Sequence, residues 1–244
     1  LTKYNAHKVY EIEIAFGFAV AYQEFYGHRE DVDNLKELRK EIEEGIEKYY
    51  NLMKDLIGHD FNPNSPKQLV SILYKELGIP EQRSRKTGNL TTDKETLKKL
   101  GELTDIEGNT MYPFCAYLLK YREYEGVRKI IDKFPELATP DGYLFSSVMQ
   151  FGTTTGRVSI NNPNYQSYND PVKKNIVPRP GFYMFDTDYS SVEYRVLGNM
   201  SGNKMIKERF YDPDFDYHTY QASRMYQVPY ASVTPKLRKA AKGI

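Results

Sequence analysis

Residues 185–195 read FDTDYSSVEYR and bring three carboxylates close together: Asp186, Asp188 and Glu193. They follow GFYMF (Gly181–Phe185), an apolar and aromatic run of the kind that forms a strand. On a strand, residues two apart face the same side, so Asp186 and Asp188 would present their oxygens together. Paired carboxylates at the end of an apolar strand suit magnesium, a hard ion that prefers oxygen ligands. Glu193 follows at helical distance, near enough to border the same pocket. A lone D-x-D more commonly marks a strand turning into solvent, so the rest of the chain must decide.

Three other groups could do chemistry beside it. Arg238 and Lys242 are spaced i, i+4 and share one helix face, where a triphosphate would meet two cations. On a lysine-rich helix such a pair is equally an ordinary surface pair. TTTGRVSINNPNYQ (153–166) offers Arg157, Asn164 and Gln166, with Asn161 and Asn162 between them and no acid in the run. Side-chain donors of this kind can reach the minor-groove acceptors that every base pair presents. Arg83, Arg85 and Lys86 precede Thr87-Gly88 and form a basic tip between helices, for which a solvated loop is the commoner fate.

The elements that would position these groups follow from periodicity and punctuation. Val32, Leu35, Leu38, Ile42, Ile46, Tyr49, Leu52 and Leu56 recur every three or four residues, which predicts an amphipathic helix over 32–57 closed by Gly58. Ser65, Pro66 and Gln68 predict a capped helix start, with Gly78 and Pro80 as its stop. Thr92 and Glu95 read as a capping box for the next helix, and a further helix is expected from about Phe114 to Phe134. The first 135 or so residues are thus expected to be nearly all helical. From Asp141 the texture changes to β-branched and aromatic residues between turn glycines, predicting strands. FYMFDTD is expected as a strand, SSVEYRVLGNMSG as a helix with Ser190 a candidate N-cap, and TPKLRKAAKGI as a helix capped by Thr234.

Composition sets outer bounds. A chain of 244 residues can bury a real core, in one large domain or two smaller ones. A single cysteine excludes a disulfide framework or a cysteine zinc cluster and fits a reducing compartment. No apolar run is long enough to span a bilayer and no secretory signal is visible, so the expected location is cytoplasmic. The net charge of +1 hides an asymmetry. Residues 1–60 hold 8 Lys/Arg against 13 Asp/Glu, whereas 217–244 hold five Lys/Arg and no acid. A basic stretch after an acidic site is what an enzyme handling phosphates needs.

Taken in order, these segments resemble the polymerase module of family A DNA polymerases, the DNA polymerase I family, from about Phe61 to Ile244. FNPNSPKQL, LGIP and RKTGNLTTD look like that family's thumb. TTTGRVSINNPNYQ is similar to its T-x-T-G-R…P-N-L-Q segment at the primer end, and DTDYSSVEYRVLGNMSG to its D-Y-S-Q-I-E-L-R catalytic motif. DYHTYQAS resembles D-I-H-x-x-T-A, and LRKAAKGI the start of the fingers helix R-x-x-x-K-x-x-N-F-G. Tyr165, Ser167, Ser191 and Tyr194 depart from the family pattern, as a divergent, phage-like member would.

The resemblance implies an α+β fold: an incomplete right-hand polymerase with a helical lead-in (1–60), a thumb (61–135), part of an antiparallel palm sheet bearing Asp188 (136–205) and the start of the fingers (206–244). It implies template-directed DNA synthesis by a DNA-directed DNA polymerase. Asp188 and the backbone carbonyl of Tyr189 would hold two Mg2+ ions, one activating the primer 3′-hydroxyl and the other steadying the leaving pyrophosphate. Glu193 would be the steric gate against a ribose 2′-hydroxyl. Arg238, Lys242 and His218 would bind the incoming dNTP. Arg157, Asn164 and Gln166 would touch the primer–template minor groove, and Arg83, Arg85 and Lys86 the duplex phosphates. The motif for the family's second catalytic aspartate is not among these segments, so the chain is expected to need a C-terminal polymerase fragment for activity, as a partial copy or as half of a split enzyme. Two other classes compete: a primer–template-binding module without chemistry, and a D-x-D metal-dependent glycosyltransferase.

Overall fold

The computed structural model describes residues 6–189, 191–212 and 214–242, with the backbone alone for 205 and 206. Two compact units result, Leu1–Met184 and Phe185–Ile244. Helices and small antiparallel sheets make up an α+β architecture.

The first unit is organised by two long helices. Helix α2 (Val32–Ile57) has the predicted bounds. Asp31 caps it by accepting the Asn34 N–H at 3.0 Å. Gly58 ends it in the left-handed region at φ 79°, returning its N–H to the Lys54 carbonyl. Its apolar stripe faces α5 (Pro113–Ile131), and this pair runs along two hydrophobic clusters. In one, Met53 meets Leu69, Leu73, Leu97, Phe114, Cys115 and Leu118. In the other, Leu35 and Ile42 meet Val127, Ile131, Leu144, Tyr168 and Val172. Fully burying one such side chain is worth about 1.5–3 kcal/mol, so these clusters hold the helices to the strands that follow.

Between them, α3 (Pro66–Ser71) starts on a Ser65 cap and widens into a π-helical turn over Ile72–Glu76. The Gln68 carboxamide oxygen accepts the Asn62 N–H at 2.6 Å, so the reciprocal arm of the predicted capping box closes on Asn62 instead of Ser65. The start of α4 (Lys94–Gly101) also differs from expectation. Asp93, not Thr92, is its cap, accepting the Thr96 N–H at 2.8 Å. A carboxylate is the stronger acceptor, and Thr91 donates to it at 2.8 Å.

The N-terminal region is not wholly helical. After α1 (His7–Tyr26) the chain makes a short strand, β1 (His28–Glu30), in the centre of a three-stranded antiparallel sheet with β2 (Tyr143–Leu144) and β5 (Ile176–Val177). Gly142, at φ 85°, lets the chain pass close to this strand, because a Cβ there would lie 2.6 Å from the Glu30 carbonyl oxygen. A second antiparallel pair joins β3 (Ser147–Met149) to β4 (Ser159–Asn161). The short helices α6 (Phe134–Leu137) and α7 (Asp170–Lys173) complete this unit.

Helix α1 is unusual. It is apolar on every side yet buries no residue, and Ile12, Phe18 and Phe25 are exposed. It is tied down by polar groups: Glu24 accepts the Val148 N–H at 2.6 Å, and Gln150 donates to the Glu13 carbonyl at 2.7 Å.

The second unit holds α8 (Val192–Met200), α9 (Lys204–Arg209), α10 (Tyr217–Tyr226) and α11 (Pro235–Lys242). Helices α10 and α11 pack through buried Ala222 and Ala241. The Thr234 hydroxyl accepts the Leu237 N–H at 3.3 Å, giving α11 the predicted cap. Ser190, the candidate cap of α8, lies outside the described residues; Ser191 stands at the cap position without a side-chain bond.

Candidate functional site

The stretch Phe182–Tyr189 is not a strand. No described residue forms a β-ladder with it, and Tyr183 and Phe185 are 88% and 86% exposed. Aromatic content favours a strand only where a neighbouring backbone can take up the N–H and C=O groups. The shared sheet face that the sequence predicted for Asp186 and Asp188 is therefore absent; both lie exposed on a segment without regular secondary structure. Tyr189 beside them is 81% exposed. Among the described residues, no three His, Cys, Asp or Glu side chains converge as a metal-binding group. Asp188 and the Tyr189 carbonyl nevertheless offer hard, solvent-open oxygens that fit magnesium as part of a larger ligand set.

Glu193 is exposed on the first turn of α8. Tyr194, next to it, stacks on Tyr217 of α10 with ring centres 3.8 Å apart, and His218 meets the Tyr194 ring edge-on at 5.8 Å. His218 Nδ1 is buried with no hydrogen-bond partner among the described residues. Arg195 donates to the Phe210 carbonyl at 3.1 Å and covers its ring. Helix α8 thus brings Glu193 near the start of α10, the element that carries His218.

Arg238 is engaged. Its guanidinium donates two hydrogen bonds to the Asp216 carboxylate, at 2.9 and 2.6 Å. Asp216 also caps α10 by accepting the Thr219 N–H at 2.7 Å. The Arg238 guanidinium, aided by that cap, holds the Asp216 carboxyl far below the usual carboxylate range. The i, i+4 pair read from the sequence is thus split in use: Arg238 turns to Asp216, and Lys242 ends the described helix. Nothing in the spacing of α11 betrays Asp216, which lies 22 residues upstream.

The other candidates sit in the first unit. The basic tip is a tight turn in which Ser84 and Asn89 exchange a backbone bond at 2.8 Å and Gly88 takes φ 70°. Arg83 buttresses it, binding Glu81 at 2.8 Å and the Gly88 carbonyl at 3.3 Å, and all three cations of the tip, Arg83, Arg85 and Lys86, are exposed. Arg157 and Gln166 line one hollow together with Phe16, and Gln166 donates to the Val158 carbonyl at 3.4 Å. Asn164 lies elsewhere, in a cavity shared with Lys129 and Lys133. The three residues assigned to one groove thus occupy two hollows, with Arg157 before β4 and Asn164 and Gln166 after it. The sequence reading missed the two lysines, although their i, i+4 spacing ahead of the asparagine-rich run was visible.

A sequence profile of DNA polymerase family A matches residues 32–244. The chain belongs to DNA polymerase family A. It is 34% identical over 243 residues to the thermostable DNA polymerase I of Thermus filiformis, a match spanning 96% of this chain and 28% of that protein. It is 30% identical over 243 residues to the DNA polymerase I of Bacillus subtilis (strain 168), spanning 96% and 26%. The chain therefore spans roughly a quarter of the length of these relatives. Among solved structures it is similar to the POL domain of Pol1 from M. smegmatis in complex with DNA primer-template and dNTP. The TM-score is 0.76 at 29% identity, covering 92% of this chain and 39% of that one. No described helix is long and apolar enough to cross a membrane.

Proposed function

We propose that the chain is the thumb, part of the palm and the beginning of the fingers of a template-directed DNA polymerase, which transfers a nucleotide from a dNTP to a primer 3′-hydroxyl. The observation that carries this reading is the similarity, over 92% of the chain, to a POL domain bound to primer-template and dNTP. The domain assignment follows: a lead-in over 1–60, thumb over 61–135, palm over 136–205 and fingers from 206.

Within this reading Asp188 and the Tyr189 carbonyl would hold magnesium, together with a carboxylate that a C-terminal polymerase fragment would supply. When bound, magnesium supplies Lewis acidity at the primer hydroxyl and at the leaving pyrophosphate. Arg238 exchanges the Asp216 carboxylate for a phosphate oxygen, an exchange between two partners of the same bidentate geometry. Lys242, one turn on, adds a point charge to the triphosphate, and His218 lies beside it. Glu193 closes the space that a ribose 2′-hydroxyl would occupy. Arg157, Asn164 and Gln166 contact the minor groove, and Arg83, Arg85 and Lys86 the duplex backbone, with Arg83 also shaping the tip.

The test is primer extension in magnesium by this chain supplemented with the rest of the polymerase domain expressed separately. The chain alone should not extend. Asp188→Ala should lower extension by the supplemented enzyme by about a thousandfold, the several kcal/mol a metal contributes to a phosphoryl transition state. Primer–template affinity should stay within about threefold. Full extension by Asp188→Ala would remove the catalytic assignment. Binding without extension under any complementation would leave the chain a primer–template-binding module.

A further inference from the structure

We propose that the cavity between the end of α5 and the Asn161–Ser167 loop holds a backbone phosphate of duplex DNA, through Lys129 and Lys133. The inference rests on the polymerase reading and adds to it two lysines that none of the sequence motifs contains. The cavity measures about 330 Å³. Lys129 on α5 and Lys133 just beyond it line one side, and Asn161, Asn162, Asn164 and Ser167 line the other. Both lysines are exposed, and neither has a carboxylate within ion-pair distance among the described residues.

Two nearby acids, Glu125 and Asp132, are committed elsewhere, and Glu136, three residues past Lys133, lies outside the lining. Arg128 pairs with Glu125 at 3.0 Å, and Asp132 accepts from Arg39 at 2.8 Å. The two cations therefore share the cavity with asparagine amides and a hydroxyl on one side and with the apolar Ile130, Phe134 and Leu137, and no acid lies in the lining. The loop opposite is fixed, since the Ser146 hydroxyl donates to the Pro163 carbonyl at 2.8 Å and Ser167 donates to the Asn164 carbonyl at 2.7 Å. A preset wall lowers the ordering cost of binding. The ligand is an anion small enough for the cavity, which describes a phosphodiester better than a base, because the two aromatic residues of the lining, Phe134 and Tyr168, are buried and offer no open face for stacking. The C-terminal end of α5 repels anions, so the attraction has to come from the two lysines and not from the helix dipole. Asn164 places this phosphate on the loop that carries Gln166, which lines the other hollow with Arg157.

The experiment is fluorescence anisotropy of a labelled primer–template duplex with the full 244-residue chain across about 50–300 mM salt. Three proteins are compared: wild type, Lys129→Gln/Lys133→Gln, and a charge-matched control, Lys40→Gln/Lys54→Gln, whose lysines pair with Glu37 and Asp60 on α2 and beyond it. Each phosphate contact contributes about 0.9 to the slope of log K against log[salt]. The Lys129/Lys133 variant should lose about one from that slope and about tenfold in affinity near 0.1 M salt, while the control keeps the wild-type slope. Unchanged melting temperatures exclude a folding effect. An unchanged slope in the double variant, or an equal loss in the control, overturns the site and leaves the polymerase reading standing. Wild-type protein with no salt-dependent duplex binding overturns both. A labelled polyglutamate that binds more tightly than DNA and is released by the same double substitution reassigns the pocket to acidic peptides and overturns the phosphate.

Discussion

At the scale of single residues, the most consequential placement outside the site is Glu30. It is fully buried on β1 with neither carboxylate oxygen hydrogen-bonded among the described residues, and His28 Nε2 lies 3.6 Å away. Burial pushes the Glu30 carboxyl above its ordinary range, and the nearby His28 imidazole offsets part of that rise. The groups facing it are His28, from the same strand, and the Tyr168 ring, whose own hydroxyl is pushed up by burial and by Glu30. For an acid whose folded pKa is raised, stability is fully present below the unfolded value and is lost as pH rises through the folded one. Glu30→Gln should therefore gain stability relative to wild type as pH climbs from about 4.3, the ordinary glutamate value, toward 8. Urea midpoints measured for both proteins across that range check this, and a difference that shrinks with pH contradicts it.

At the scale of elements, the α2–α5 contact governs the first unit. Gly45 of α2 is buried against Tyr124, and a Cβ there would lie 2.6 Å from the ring. Gly45→Ala should destabilise the protein by about 1–3 kcal/mol of overpacking. The roughly 1 kcal/mol that alanine gains in helix propensity offsets this only in part. Thermal or urea unfolding decides it, and a more stable variant would show that the helices can separate freely. Helix α2 was legible to the residue because twenty-six positions repeat one period between a capping Asp31 and Gly58. Strand β1 was not: His-Arg-Glu carries no strand pattern, and its pairing partners lie more than a hundred residues away at Tyr143 and Ile176. FYMFDTD erred in the opposite direction, because its residues suit a strand but a strand exists only beside another. The Arg238–Asp216 pair was hidden for the same reason, since its geometry belongs to the fold and not to either local segment.

At the scale of the whole molecule, stability is distributed unevenly. The clusters along α2 and α5 contain most of the large fully buried side chains, whereas α1 buries none and is held by contacts from Glu13 and Glu24. Local opening tracks the number of buried apolar contacts. Hydrogen exchange should therefore release the amides of α1 well before those of α2 and α5, by about a hundredfold for each 2.7 kcal/mol of difference in opening free energy. Equal protection of α1 and α5 would mean that its exposed apolar side chains are covered in solution.

The lone cysteine gives this unevenness a readout. Cys115 sits in the middle of the α2–α5 core, and burial raises its thiol to about 12, so at neutral pH it is neither ionised nor within reach of a reagent. Because the chain has one sulfhydryl, an alkylating dye added to the native protein acts as a clock that ticks only when the central helices part. Its rate reports the opening of that core and remains silent to the fraying of α1. On the proposed polymerase reading, duplex DNA bound to the first unit should slow the clock, so the same dye can time binding in a chain that has no tryptophan to fluoresce.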